Sequence, residues 1–264
     1  MKEKNTSDSK GGRSTNSVPR AWIPSQFKPR TLADARAVAN EPVDTQANAE
    51  NKKHNVREYS LGEEIANSVT HGIGVLLSIA ALPVLVVKAV DDGGGIFLFA
   101  ALIYAISMLM EYIMSTLYHA ISAEKAKRVF KILDHSFIYL FIAGSYTPFC
   151  LISLGDSGGV LLCIIVWALA FAGVACEAFW VFRPRWISAV LYLLMGWCIV
   201  WFLPPLIAAL PTPGLWLLVG GGICYSIGAL FYVFKKIPYM HSLFHLWVLA
   251  GSVCHFLAIM FYVM

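Results

Sequence analysis

The chain has 264 residues, of which 58% are apolar or aromatic and 14% are charged, against a charged share of about 25% in soluble domains. That deficit excludes an ordinary soluble fold and, over most of the length, intrinsic disorder. The formal net charge of +4 comes from 20 basic and 16 acidic residues, and its placement gives no reason to expect a nucleic-acid partner.

The whole excess lies in residues 1–58, which hold 11 Lys/Arg and 7 Asp/Glu, whereas residues 59–264 hold 9 of each. The first 58 residues are rich in Asn, Ser, Lys, Gly and Pro, so they are predicted to be a disordered basic tail that buries too little surface to offset its ordering entropy. They show no apolar stretch of the kind that marks a signal peptide. Within the tail, residues 20–30 mix bases with Trp22 and Phe27; a passive linker is expected there, with contact to anionic headgroups as the alternative.

Seven apolar stretches follow, at 65–87, 96–118, 132–154, 158–182, 187–210, 214–234 and 239–264, each near the roughly 20 residues that a helix needs to cross a bilayer. The links between them, at 91–95, 155–157, 183–185, 211–213 and 235–236, are short and polar or rich in Pro and Gly. A soluble all-helical protein needs a polar stripe on each surface helix, and 214–234 has none. Residues 59–264 are therefore predicted to be an all-α integral membrane domain, a seven-transmembrane helix bundle.

Basic residues orient it. The tail, the link holding Lys125, Lys127, Arg128 and Lys131, the link holding Arg183 and Arg185, and Lys235 with Lys236 account for 19 of the 20. Lys88 alone falls on the other side, which predicts a cytoplasmic N-terminus and a C-terminus on the opposite face.

The six cysteines lie in or at the ends of apolar stretches without a CxxC pair, the pattern of small packing residues. Gly220-Gly221-Gly222 lacks a strand-turn-helix context and suits close helix approach. Ionisable residues inside spans carry more information, because lipid makes them costly. His71, His119, His135, His241 and His245 all fall towards the predicted cytoplasmic side, while His255 lies deeper and is taken as a packing or hydrogen-bonding residue. His241 and His245 are one helical turn apart on one face, a spacing that suits two nitrogens on a tetrahedral Zn²⁺. Ser115 and His119 repeat that spacing, with Glu111 a further turn back, and Asp134 adds a carboxylate at similar depth. Glu111 and Glu177 also admit a simpler reading as partners of Ser, Tyr or backbone groups within the bundle.

At these residues the sequence resembles the hemolysin III family, within the progestin and adipoQ receptor superfamily that includes the adiponectin receptors. Three blocks between residues 58 and 264 carry the resemblance: Glu63-Glu64-Ile65-Ala66-Asn67-Ser68-Val69-Thr70-His71-Gly72; Ser115-Thr116-Leu117-Tyr118-His119 with Leu133-Asp134-His135-Ser136; and His241-Ser242-Leu243-Phe244-His245. The resemblance implies Zn²⁺ held by His119, His241 and His245, with Asp134 close to the metal through a water and Ser115 beside it. It also implies that Glu64, Asn67 and His71 support the site, and His135 is a further supporting candidate. Adiponectin receptors and the similar alkaline ceramidases point to hydrolysis of a lipid amide. HxxxH lacks the glutamate of HExxH, so Asp134 is the candidate general base and Ser115 a candidate oxyanion or water-orienting donor. Asp134-His135-Ser136 fits the bacterial members, which implies a multi-pass protein of the bacterial inner membrane, with membrane lipids as its partners. The alternatives are a sensor of lipid or membrane state with structural zinc, and a lytic or transport protein.

Overall fold

The computed structural model describes residues 59–234 and 237–264. The predicted disordered tail, including its segment 20–30, and Lys235 with Lys236 lie outside the described residues.

Because a chain in lipid must satisfy its own backbone, each apolar stretch forms a helix. Among the described residues, seven helical spans are long and apolar enough to cross a membrane, one for each predicted stretch. Helix α1, Leu61–Asp92, starts four residues before the apolar run because a capping box holds it. Ser60 Oγ accepts from Glu63 N, and Ser60 N donates to Glu63 Oε2 at 3.0 Å, which satisfies two otherwise orphaned donors. Its buried residues are Asn67, His71, Gly74, Ser78, Ala81, Leu85 and Ala89, while Ile65, Val69, Leu76 and Ile79 are exposed. Small and polar side chains thus face the bundle and branched apolar ones face outward, as expected where the surrounding solvent is lipid.

Helix α2, Gly95–Ala120, leads to α3, Glu124–Pro148. The start of α3 corrects the sequence expectation. Lys125, Lys127, Arg128 and Lys131 are not in a link but in the first two turns of a helix that begins eight residues before 132. Lys127 and Lys131, a turn apart, are both buried. Lys127 Nζ donates to the Tyr118 and Ile121 carbonyls at 2.8 and 3.4 Å, a cation placed where the end of α2 leaves carbonyls without helical partners.

Pro148 lacks an N–H and crowds the turn before it, and α3 gives way to a π-helical stretch, Phe149–Ser153, as such breaks often do. A second wide turn, Gly155–Gly159, contains Gly158 at φ +87°, a conformation that glycine adopts without strain. Helix α4, Val160–Trp180, follows. The fifth span is broken into α5, Arg185–Gly196, a 3₁₀ turn, Cys198–Phe202, and α6, Leu203–Ala209. Tyr146 serves that break: its hydroxyl donates to Gly196 O at 2.6 Å and accepts from Ile199 N at 3.0 Å, so the interrupted backbone is not left unpaired in lipid. Helices α7, Thr212–Val233, and α8, Met240–Tyr262, complete the bundle.

Chain neighbours α1–α2, α2–α3, α3–α4 and α7–α8 pack together, and α8 also packs on α1, so the last span meets the first. Glu63 Oε1 reinforces that meeting by accepting from Tyr239 N at 3.1 Å, just before α8. All six cysteines are free. Of the three consecutive glycines, Gly221 is the one at a close approach: a Cβ there would fall on the His255 ring.

Candidate metal centre

Three histidines converge from two helices. His119 lies in the last turn of α2, and His241 and His245 occupy the first two turns of α8. All three are buried, and one donor atom from each lies within 4.8 Å of the others. Ring centroids are 5.2 Å apart for His119–His241 and His119–His245, and 4.5 Å for His241–His245.

Helix α1 packs on both α2 and α8 and sets the tautomers. Glu64 Oε2 lies 2.7 Å from His119 Nδ1, and a carboxylate accepts, so Nδ1 carries the proton. The Asn67 carbonyl lies 3.1 Å from His245 Nδ1 and Thr70 Oγ1 lies 3.1 Å from it, so that nitrogen is the donor too. In both rings Nε2 then holds the lone pair that a metal requires. Asn67 Oδ1 also accepts from Ser242 Oγ at 2.6 Å, and Asn67 Nδ2 lies 3.5 Å from His119 Nδ1. His241 stacks on Tyr59 with centroids 4.9 Å apart, and its buried Nδ1 has no hydrogen-bond partner among the described residues. Three neutral imidazoles with two of their outer nitrogens engaged fit a divalent transition metal with an open fourth position. His71 stacks face to face on His245, centroids 3.5 Å apart, and so stands behind the triad.

Residues 59–256 match the family described as Haemolysin-III related. The chain belongs to this family. It is 45% identical over 204 residues to the Hemolysin-3 homolog of Bacillus subtilis (strain 168), covering 77% of this chain and 96% of that one. It is 45% identical over 202 residues to Hemolysin-3 of Bacillus cereus, covering 76% and 92%. A more distant relative is the monocyte to macrophage differentiation factor of Homo sapiens, 29% identical over 209 residues, covering 75% and 83%. With seven apolar spans, this haemolysin III-related chain is a multi-pass integral membrane protein.

The other sequence candidates fall into a neighbouring cluster. Asp134 and Ser115 are buried; Ser115 neighbours the Asp134 carboxyl, and its Oγ has no hydrogen-bond partner among the described residues. Glu111 is an electrostatic neighbour of Asp134. His135 Nε2 lies 3.9 Å from Asp134 Oδ2 and its Nδ1 lies 3.5 Å from Glu177 Oε2, so His135 links Asp134 to Glu177 rather than joining the triad. Glu177 pairs with Arg183, whose guanidinium also donates to Tyr139 Oη at 3.0 Å. Glu177 is thus an ion-paired residue, not merely a partner of hydroxyls and backbone.

Sequence reasoning missed Thr70, Tyr59 and the second role of Lys127 and Arg183. Both cations serve as more than topology signals. Lys127 Nζ lies 2.8 Å from Glu64 Oε1, so one carboxylate joins His119 to the start of α3. The i,i+4 pair Lys127 and Lys131 was the available sign of an early helix start.

Two spaces reach the cluster. An apolar cavity is bounded by His71, Glu111, Phe141, Tyr192, Tyr225 and His255 among others. A second crevice reaches His119 past Tyr59, Glu64, Ser68 and Lys127. The first is suited to a hydrocarbon chain and the second to water and polar groups.

Proposed function

We propose that this haemolysin III-related protein is a zinc-dependent hydrolase of a lipid amide of the ceramide kind, acting at the cytoplasmic face of a bacterial inner membrane and adjusting its lipid composition. The observation that carries the reading is the buried triad of His119, His241 and His245, with an apolar cavity that reaches His71, the ring stacked on His245. The concentration of basic residues near that end supports its cytoplasmic placement.

His119, His241 and His245 would hold a zinc ion, which would supply Lewis acidity and lower the pKa of water there towards about 7. The protein's residues do the rest. The cavity holds the acyl chain and excludes water from it. Asp134 takes up the proton released when water attacks the amide carbonyl and returns it to the leaving nitrogen. Ser115, whose buried Oγ has no partner among the described residues, orients that water or donates to the developing oxyanion. Glu64 and the Asn67 carbonyl keep His119 and His245 in the ligating tautomer.

Metal analysis of purified protein is expected to find about one zinc per chain, lost in the His241→Ala, His245→Ala double variant. Equal sub-stoichiometric zinc in both would end the metal reading. Incubation with ceramides and related amides is expected to release fatty acid, and Asp134→Ala is expected to keep the metal and abolish release. Full zinc occupancy with metal-dependent stability and no turnover on any amide would instead establish the sensor with structural zinc.

A further inference from the structure

We propose that His255 is a second polar anchor of the apolar cavity, selecting amphiphiles that carry a hydroxyl on the chain at roughly 15 Å from the metal end. The figure follows from the ten residues separating His255 from His245 on α8, at a rise of about 1.5 Å each. The proposal rests on the cavity being the seat of a lipid chain, as assigned above.

The His255 ring is held in a built seat. Its Nε2 lies 3.3 Å from the Leu218 carbonyl on α7, and a carbonyl only accepts, so Nε2 carries the proton and donates. The Cδ2–Nε2 edge lies over Gly221, where a Cβ would overlap it. Tyr225 and Phe149 meet the ring edge to face, with centroids 5.2 and 6.5 Å away. With that edge committed to α7, the tautomer leaves Nδ1 as a bare acceptor on the opposite edge of a ring that lines the cavity. Nδ1 is buried and has no hydrogen-bond partner among the described residues.

The hydroxyls nearest that part of the cavity are already engaged. Ser145 Oγ donates to Ile142 O at 2.8 Å, Ser226 Oγ donates to Gly222 O at 2.7 Å, and Tyr146 serves the break in the fifth span. Glu111 Oε2 and the His71 nitrogens also lack hydrogen-bond partners among the described residues, but His71 stacks on His245 and Glu111 neighbours Asp134, so both belong to the metal end and His255 is the acceptor at the far one. A buried acceptor without a donor is unfavourable, and a donor arriving on a ligand relieves it, whereas a plain hydrocarbon does not. A chain-borne hydroxyl supplies that donor without adding a charge to a site in lipid.

The test uses the full chain in detergent with two probes, octadecanoic acid and the same acid hydroxylated on its twelfth carbon. Both carry the carbonyl head that the lipid reading assigns to the metal end. Wild type is expected to bind the hydroxy acid about fivefold more tightly, equivalent to about 1 kcal/mol. His255→Leu is expected to bind both acids alike with unchanged metal content, and His255→Gln, which keeps an acceptor, to retain the preference. Equal binding of the two acids by wild type, or a preference that survives in His255→Leu, overturns the anchor while leaving the lipid cavity standing. Binding of neither acid by wild type overturns the cavity reading and the anchor with it.

Discussion

Glu64 connects two things that a single substitution can separate. Its carboxylate accepts from His119 Nδ1 at 2.7 Å and pairs with Lys127 Nζ at 2.8 Å, and the three side chains are 12%, 0% and 3% exposed, so neither contact is much weakened by solvent. Glu64→Gln keeps the shape and removes the charge. At His119 a charge-assisted bond worth about 1.5–3 kcal/mol becomes a neutral one worth about 0.5–1.5. The loss of about 1 to 1.5 kcal/mol is about a five- to tenfold weaker metal affinity. Glu64→Ala removes the bond altogether and is expected to approach the 100-fold end of the range for such supporting groups. At Lys127 a buried ammonium loses its counter-charge, and because the Tyr118 and Ile121 carbonyls still accept from it, the cost to the metal-free fold is set at about 3 kcal/mol. Competition with a chromophoric chelator in detergent reads the first effect, and thermal unfolding of the metal-free protein reads the second. Adding Lys127→Met to Glu64→Gln is expected to restore the unfolding temperature but not the metal affinity. Wild-type metal affinity in both Glu64→Gln and Glu64→Ala would refute the assignment of Glu64 as the group that fixes the His119 tautomer.

Three further outcomes are expected. Arg183→Met strands the Glu177 carboxylate in the bundle and is expected to lower stability by about 3 kcal/mol, with Glu177→Gln in the same chain recovering part of the loss in thermal unfolding. Gly74→Ala places a Cβ in the Tyr112 ring, which is itself held by a 2.7 Å bond to Ser252, and overpacking there is expected to cost about 1–3 kcal/mol by the same measurement. In a background without the six native cysteines, a membrane-impermeant thiol reagent added outside intact cells is expected to label Gly94→Cys and to spare Ser122→Cys; the reverse pattern would invert the proposed orientation.

Much of the fold was legible because lipid imposes length and composition on a span: 96–118 and 214–234 differ from α2 and α7 by two residues or fewer at either end. The early starts of α1 and α3 were less visible because polar residues build them. Glu63 and Ser60 cap α1, and Lys127 covers the end of α2, roles that look like loop composition until the partner is in place. At the site, histidine spacing on α8 was readable since i and i+4 share a face, and His119 followed from the matching depth of α2. The contribution of Thr70 was hidden because a mid-helix threonine normally returns its hydroxyl to its own backbone, as this one does to Ala66 and Asn67, and nothing local marks the imidazole against its other side. His135 lies beside Asp134 and Glu177, a placement that depth along the helix alone did not give, because residues adjacent on a helix diverge by about 100°.

The pairing of the first and last spans has a consequence for how the molecule is made. Two of the three imidazoles come from α8, while Glu64, Asn67 and Thr70 come from α1, at opposite ends of the membrane domain. A chain stopped before α8 lacks His241 and His245, however well its earlier spans have inserted. On the proposed metal reading, capture would wait for the last span and so report that α8 has packed on α1.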